Sequence, residues 1–265
     1  MNIALYGNSH PEVSQRVRLF LQQLPGVTIV DGDTACDMAL SIGGDGTFLR
    51  TAAKVGRSGV PILGINAGHL GFLADVQLSE IESALPSILV EKKFEVDHRR
   101  LLKLEIPDCH QNYQQYALNE VAVLKRDQSS MVSVSVFVDG NLLNQYDADG
   151  LVIATPTGST AYAMSAGGPI LEPQSHCWCI VPIAPHTLTT RPLVIRDNCT
   201  LDIEVESRNN IYLVSTDGQT VHLTTQSRLR LRQGDYEIGV VRRPDHTFFD
   251  TLRAKLMWGK DGRYL

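Results

Sequence analysis

Residues 40–49 read Leu-Ser-Ile-Gly-Gly-Asp-Gly-Thr-Phe-Leu. The apolar run 38–42 ends in the glycine-rich segment 43–46, and a helical pattern of apolar residues begins at Thr47. This pattern predicts a strand, a tight loop and a helix, in that order. Glycine adopts backbone angles that other residues avoid, and it lets a ligand approach the chain closely. Backbone amides in such a loop, with a helix N-terminus behind them, form an anion site suited to phosphate.

Asp45 places one carboxylate at the tip of this loop. A carboxylate repels phosphate unless it has a task, and two tasks fit: binding Mg²⁺ or accepting a proton from an attacking hydroxyl. Both tasks belong to phosphoryl transfer. The loop has neither the Lys-Ser/Thr pair of a Walker A motif nor a full G-x-G-x-x-G fingerprint. A hairpin turn that contains Gly-Asp-Gly is the alternative interpretation.

The composition is that of an ordinary globular chain. Its 265 residues, 43% hydrophobic and 20% charged, are enough for one large domain or two smaller ones. The formal net charge of −5 disfavours general nucleic-acid binding, and no apolar run approaches the ~20 residues of a membrane span. The N-terminus lacks the features of a signal peptide, and the five scattered cysteines match no zinc site. We therefore expect a cytoplasmic protein with no nucleic-acid or membrane partner.

Two patterns divide the chain. Strands and helices alternate in residues 1–100, which predicts an α/β domain with a mainly parallel, doubly wound sheet. Ligands bind such sheets at the carboxyl ends of strands, where the loop 43–46 lies. The next part, 101–236, favours strands, predicted at 101–106, 116–124, 132–138, 151–154, 193–195, 201–205, 211–215 and 227–231. An apolar pattern in the tail, 237–265, is long enough to pack back on a domain.

A second motif occupies residues 147–168, Asp-Ala-Asp-Gly-Leu-Val-Ile-Ala-Thr-Pro-Thr-Gly-Ser-Thr-Ala-Tyr-Ala-Met-Ser-Ala-Gly-Gly. The buried strand 151–154 is followed by a hydroxyl-rich loop, 155–160. Hydroxyl groups and exposed amides suit phosphate, ribose or amide ligands, and Tyr162 offers a ring that can stack on a base. A Ser/Thr-rich turn of the kind common in β proteins is the alternative interpretation.

Several segments together resemble one family, the bacterial NAD kinases that use ATP or polyphosphate. The matching motifs are GGDGT at 43–47, Asn119-Glu120, DGLVIATPTGSTAYAMSAGGP at 149–169 and Asp217-Gly218-Gln219, with further similarity in GINAGHLGFL at 64–73 and in the tail 250–258. The resemblance covers nearly the whole chain, in order. The GGDG element alone is shared with lipid kinases and 6-phosphofructokinases. Another GGDG-type kinase, acting on a lipid or sugar phosphate, is therefore the alternative.

The resemblance implies a fold and a reaction. The fold is an α/β N-terminal domain, 1–100, an all-β, β-sandwich-like NAD-binding domain, 101–236, and a tail, 237–265, that returns to the first domain. The reaction transfers the terminal phosphoryl group of ATP, or of polyphosphate in some members, to the 2′-hydroxyl of the adenosine ribose of NAD. It needs a divalent cation, and we expect Mg²⁺ to enter with the nucleotide phosphates because no metal-ligand cluster is visible in the sequence. The family forms homodimers or homotetramers.

The GGDG segment supplies the predicted catalytic group. Asp45 is expected to be the general base, and a weak base suffices because phosphoryl transfer depends mostly on positioning and charge neutralisation. The amides of Gly43, Gly44 and Gly46 are expected to hold phosphate oxygens. Arg50, one turn into the helix, is expected to reach the same phosphates, with a solvated surface charge as the alternative.

The resemblance also assigns contacts with NAD. Asn119 and Glu120 are implied to bind it, with Glu120 suited to clamp ribose hydroxyls. In a regular strand these neighbours point to opposite faces, so both reach one site only if the strand bulges or ends there. Many relatives have Arg or His where this chain has Asp147, which removes a cation from the expected site. The other implied contacts are Asp149, Thr160, Ala161, Tyr162, Ala163, Met164, Ser165, Ala184 and Gln219.

Overall fold

The structure, a computed structural model, describes residues 1–7, 11–32, 35–68, 71–107, 109, 111–127 and 131–258. The chain forms two compact units: Met1–Arg99 with Glu237–Leu265, and Arg100–Tyr236. Among the described residues, no helix is long and apolar enough to cross a membrane.

The described part of the chain contains both strands and helices. In chain order they are β1 (Asn2–Tyr6), α1 (Pro11–Leu21), β2 (Thr28–Val30), β3 (Met38–Gly43), α2 (Asp45–Val55), β4 (Ile62–Asn66), β5 (Val76–Gln77), α3 (Ile81–Leu89), β6 (Glu95–Glu105), β7 (Tyr116–Ala117), β8 (Glu120–Lys125), β9 (Val132–Val138), β10 (Asn141–Ala148), β11 (Gly150–Ala154), α4 (Tyr162–Ser165), β12 (Cys177–Ile183), β13 (Leu193–Arg196), β14 (Leu201–Ser207), β15 (Ile211–Thr216), β16 (Gln219–Thr224), β17 (Leu229–Arg242) and α5 (Phe248–Leu256).

A parallel sheet organises the first unit, as the alternation of strands and helices predicts. Its order is β2-β1-β3-β4, and β5 and the end of β17 also pair in parallel with β4. Every residue of β3 is buried, as expected for a central strand of a parallel sheet. The tail contributes α5, in which Leu252 is buried and Lys255 lies 5.9 Å from the ring centre of Phe72. The predicted return of the tail is therefore confirmed.

Two antiparallel sheets form a sandwich in the second unit. One has six strands in the order β13-β12-β11-β8-β15-β16, and the other contains β10-β9-β14-β17. Side chains from both sheets share one core, for example Val134 and Ile203 from one and Ile153 and Trp178 from the other. The one-turn helix α4 follows the predicted hydroxyl loop directly. The predicted fold class, α/β followed by a β-sandwich, is confirmed.

In the second unit, three strands were not predicted from the sequence, and one predicted strand is divided. Strand β10 has polar residues at most positions, and β12 contains Pro182, which has no amide hydrogen to donate. Strand β16 follows β15 across the short turn at Asp217-Gly218, and no strand was predicted there. The predicted strand 116–124 is divided into β7 and β8, which belong to different sheets. This break lies beside predicted site residues.

Candidate active site

The GGDG segment joins β3 to α2 through a glycine that no other residue can replace without strain. Gly43 has a φ of 153°, and a Cβ there would lie 2.5 Å from Thr47 Oγ1. Gly44 is extended, and α2 begins at Asp45, two residues before the predicted start. The carboxylate therefore stands in the first helical turn, where the helix dipole stabilises negative charge.

The backbone at the start of α2 is open on its outer side. A Cβ on Gly44 would meet nothing within 4 Å, and one on Gly46 would meet only Arg50 Nη1, at 3.8 Å. First-turn amides have no acceptor inside their own helix, so they are suited to phosphate oxygens. Arg50 Nη2 donates to Thr47 Oγ1 at 3.0 Å, so its side chain folds back over this turn. The structure thus places the positively charged guanidinium of Arg50 beside the open amides.

Two backbone amides hold the Asp45 carboxylate. Oδ2 accepts from the amide of Phe72 at 3.0 Å, and Oδ1 accepts from the amide of Leu73 at 3.1 Å. Both donors belong to the segment 64–73, which the sequence analysis noted for its resemblance without assigning it a role. His69 and Leu70 of that segment lie outside the described residues. Gly71, just before the two donors, was the feature of the sequence that could have indicated a close backbone contact here.

In the second unit, the chain leaves one sheet and enters the other at Leu118–Asn119. Asn119 and Glu120 are therefore not consecutive members of one strand, and the alternation that would separate their side chains does not apply. Asn119 is 6% exposed, and both its Oδ1 and Oε2 of Glu120 are buried without a hydrogen-bond partner in the described part of the chain. Buried acceptors of this kind are costly unless a ligand completes them.

Polar groups from two loops that are distant in the sequence form hydrogen bonds with the backbone where β7 ends and β8 begins. The Asp217 carboxylate, in the turn between β15 and β16, accepts from the amides of Leu118, Asn119 and Glu120 at 2.7, 2.9 and 3.0 Å. On the opposite edge, the amide of Thr155 donates to the Asn119 carbonyl at 2.8 Å, and Thr155 Oγ1 donates to the Leu118 carbonyl at 2.6 Å. In the sequence, Asp217 stands out only as part of a family motif, and its role as an acceptor was not predicted.

The carboxyl groups of Glu120 and Asp217 are largely buried, and their negative charges repel each other. Burial, and then the charge of Asp217, raise the pKa of Glu120 to about 8 against the opposing amide of Tyr162. Burial raises the pKa of Asp217 to about 6, although its three amide hydrogen bonds act in the other direction. Burial, followed by the charges of Glu120 and Asp149, also raises the pKa of Tyr162. These interactions bring Glu120, Tyr162 and Asp149, all predicted site residues, within electrostatic reach of one another.

Two aspartates precede β11. Lys125 Nζ donates to Asp149 at 2.6 Å, so this carboxylate has a cationic partner. The Asp147 carboxylate accepts from Ser133 Oγ, and its carbonyl accepts from the amide of His186 at 2.9 Å. At position 147 this chain therefore has a carboxylate bound to a neutral hydroxyl.

The hydroxyl loop packs directly on the strand break. A Cβ on Gly158 would lie 2.2 Å from the Asn119 carbonyl oxygen, so the two backbones touch. In the predicted NAD contacts that follow, Thr160 and Ala163 are buried, Ala161 and Met164 are half-buried, and Tyr162 and Ser165 are exposed. The ring of Tyr162 is thus accessible for stacking. Ala184, with a φ of 43°, and Gln219 are exposed, the first after β12 and the second at the start of β16.

Models of one family match both parts of the chain. The model of the ATP-NAD kinase N-terminal domain matches residues 13–94, and that of the C-terminal domain matches 118–243. The NAD kinase of Bacteroides fragilis is 51% identical over 227 residues, which are 86% of this chain and 78% of that protein.

Solved structures of the same family share the fold. An NAD kinase from Archaeoglobus fulgidus in complex with ATP has a TM-score of 0.79 and 28% identity, covering 97% of this chain and 99% of that one. Yeast NADH kinase complexed with NADH has a TM-score of 0.86 and 20% identity, covering 98% and 89% of the two chains. A lipid or sugar-phosphate kinase is not favoured, because the matches extend through both parts of the chain. The chain belongs to the NAD kinase family, the phosphotransferases that make NADP from NAD.

Proposed function

We propose that the chain transfers the terminal phosphoryl group of ATP to the 2′-hydroxyl of the adenosine ribose of NAD, with Asp45 as the general base. One observation carries this proposal. The Asp45 carboxylate stands in the first turn of α2 beside amides that are open to a ligand, and two further amides fix its orientation. A base and a phosphate-binding surface on the same turn suit the transfer of a phosphoryl group to a hydroxyl.

The first unit supplies the groups that act on the phosphates. Amides at Gly43, Gly44 and Gly46 bind phosphate oxygens, and Arg50 neutralises part of their charge. Asp45 accepts the proton of the attacking hydroxyl late in the transfer. Positioning and charge neutralisation provide most of the rate enhancement in such reactions.

Mg²⁺ supplies further charge neutralisation when it is bound with the nucleotide. Within the described residues, no group of three or more His, Cys, Asp or Glu side chains forms a metal site. Both oxygens of Asp45 already accept amide hydrogens. We therefore propose that the cation enters on the nucleotide phosphates and keeps most of its waters.

The second unit, approximately the proposed domain 101–236, recognises NAD. The partnerless acceptors of Asn119 and Glu120 receive hydrogen bonds from the dinucleotide, and the exposed ring of Tyr162 stacks on a base. Glu120 is suited to two vicinal ribose hydroxyls because a carboxylate accepts several hydrogen bonds at once. The remaining proposed contacts are Asp147, Asp149, Thr160, Ala161, Ala163, Met164, Ser165, Ala184 and Gln219.

We also propose a cytoplasmic homotetramer, in keeping with the family resemblance. Light scattering of the purified protein is expected to give four times the chain mass of 29.2 kDa. A dimer or monomer mass would correct the assembly without affecting the reaction. Fractionation of expressing cells, with the chain followed by antibody, tests the location.

A coupled assay tests the reaction. Purified protein is mixed with NAD, Mg²⁺ and either ATP or polyphosphate, and NADP is followed with an NADP-specific dehydrogenase. We expect NADP with ATP, and a loss of about 100-fold or more in kcat for Asp45→Asn while calorimetric NAD binding persists. Unchanged turnover would exclude Asp45 as the base. NAD binding without NADP from either donor would indicate a dinucleotide sensor.

A further inference from the structure

Residues 72 and 73, in the segment after β4, contact the proposed base through their backbone amides. The amides of Phe72 and Leu73 donate to the two different oxygens of Asp45, so the carboxylate is held at both ends. Bonds to one oxygen leave a carboxylate free to rotate about its terminal torsion, whereas bonds to both fix its plane. The remaining lone pairs then point in set directions.

Gly71 makes this contact sterically possible. A Cβ at position 71 would lie 2.1 Å from Asp45 Oδ1, 2.7 Å from its Cγ and 2.9 Å from its Oδ2. All three distances are shorter than side-chain contacts in real proteins, so any larger residue must displace either the carboxylate or the segment. Position 71 therefore needs a residue without a side chain beside the carboxylate.

We propose that residues 71–73 are a positioning element for catalysis, in which Gly71 permits two amides to aim the Asp45 carboxylate at the attacking hydroxyl. This inference rests on the proposed role of Asp45 as general base. Displacement of a reacting group by about 1 Å lowers the reaction rate by up to 100-fold. A backbone contact that fixes the carboxylate therefore preserves the rate.

Gly71→Ala tests the element, and the same segment offers a matched control. A Cβ on Gly68 would meet nothing within 4 Å. The backbone amide of Gly68 donates a hydrogen bond to Asn66 Oδ1, and an alanine at position 68 keeps this donor. Gly71→Ala is expected to lower kcat about 10- to 100-fold with KM for NAD and ATP changed less than about twofold. Gly68→Ala is expected to leave both constants unchanged. Wild-type kcat in Gly71→Ala, or a raised kcat, would overturn the inference.

A double-mutant cycle separates positioning from general damage. If Gly71 acts through Asp45, Gly71→Ala adds less than about twofold to the loss already caused by Asp45→Asn. Independent structural damage would instead multiply the two losses and overturn the inference. Full turnover of Asp45→Asn alone would overturn the proposed function, which makes that failure distinguishable from a failure of the positioning element.

An NMR measurement tests the contact without relying on activity. The amide proton signals of Phe72 and Leu73 are expected to shift in both Asp45→Asn and Gly71→Ala, and to stay in place in Gly68→Ala. Thermal unfolding of each variant reports whether the fold is retained. Unshifted amide signals in Gly71→Ala would show that the carboxylate was never held by this segment.

Discussion

At the residue scale, Glu120 holds a proton that an exposed glutamate would have lost. Its pKa is about 8, because it is buried and faces Asp217. Below that pH the unliganded carboxyl is mostly protonated, so its charged form develops as pH rises or as a ligand supplies donors. Burial and the charge of Asp217 therefore disfavour the ionised form of the group that is proposed to bind ribose.

Stability is expected to fall as pH rises through this range. The pKa of Glu120 is raised from 4.5 to about 8 and that of Asp217 from 3.8 to about 6, so the native state binds protons that the unfolded state releases. Stability from both groups is thus present at low pH and is lost between about pH 4 and pH 8. Melting temperatures measured across this range should decline, and Glu120→Gln should flatten the decline.

A surface variant provides the reference for this measurement. Glu91 is paired with Lys93 at an exposed site, so Glu91→Gln should leave the slope of melting temperature against pH as in the wild type. Equal slopes for the wild type and Glu120→Gln would contradict the assignment of the proton to Glu120.

At the element scale, the break between β7 and β8 is shaped by two loops that come from other parts of the chain. The turn after β15 binds the amides of the break, and the loop after β11 binds its carbonyls. A chain that changes sheets leaves backbone groups unpaired at the crossing, and these two loops pair them. The element therefore presents Asn119 and Glu120 from a backbone that is hydrogen-bonded on both sides.

Gly158→Ala should damage this element. Its Cβ would lie 2.2, 2.4 and 2.6 Å from the O, C and Cα atoms of Asn119, and backbone atoms cannot move aside as a flexible side chain does. We expect a loss of about 1–3 kcal/mol in the free energy of unfolding and weakened NAD binding by calorimetry. Gly68→Ala serves as the control. Normal binding in Gly158→Ala would show that the break tolerates movement.

At the scale of the whole molecule, a buried carboxylate secures the returning tail. The Asp75 side chain is fully buried, accepts from the amide of Arg243 at 2.7 Å and lies 2.7 Å from His246 Nδ1. Arg242 Nε is 3.8 Å away. Asp75 follows β4, whereas its partners lie at the end of the long strand β17 or just after it, so the contact joins distant parts of the chain within the first unit.

Asp75→Asn is expected to destabilise the fold strongly. Removal of one partner from a buried ionic cluster leaves uncompensated charge and costs about 3–5 kcal/mol. The exposed pair Arg16–Glu82 is the contrast, and Glu82→Gln should change stability by less than about 1 kcal/mol. Urea unfolding of the two variants measures both values. Equal stabilities would show that the tail is held by apolar packing alone.

Local sequence patterns were sufficient to predict many of the strands and helices and both fold classes of this protein. The strand, glycine loop and helix around Asp45 follow from an apolar run, glycines and helical spacing within a few residues. The change from alternating elements to successive strands near residue 100 likewise predicted both fold classes. Such patterns reflect which residues of a helix or strand are buried. This periodicity can be recognised from neighbouring positions in the sequence.

Tertiary structure decided how the site residues are held. Asp45 is bound by amides 27 and 28 residues away, and Asp217 binds amides 97 to 99 residues away. The amides of Leu118, Asn119 and Glu120 are paired by that remote carboxylate, and no local pattern predicts this pairing. The sequence alone determined the elements and the family motifs. Only the folded chain determined which backbone groups meet, because a hydrogen bond depends on distance in space and not on position along the chain.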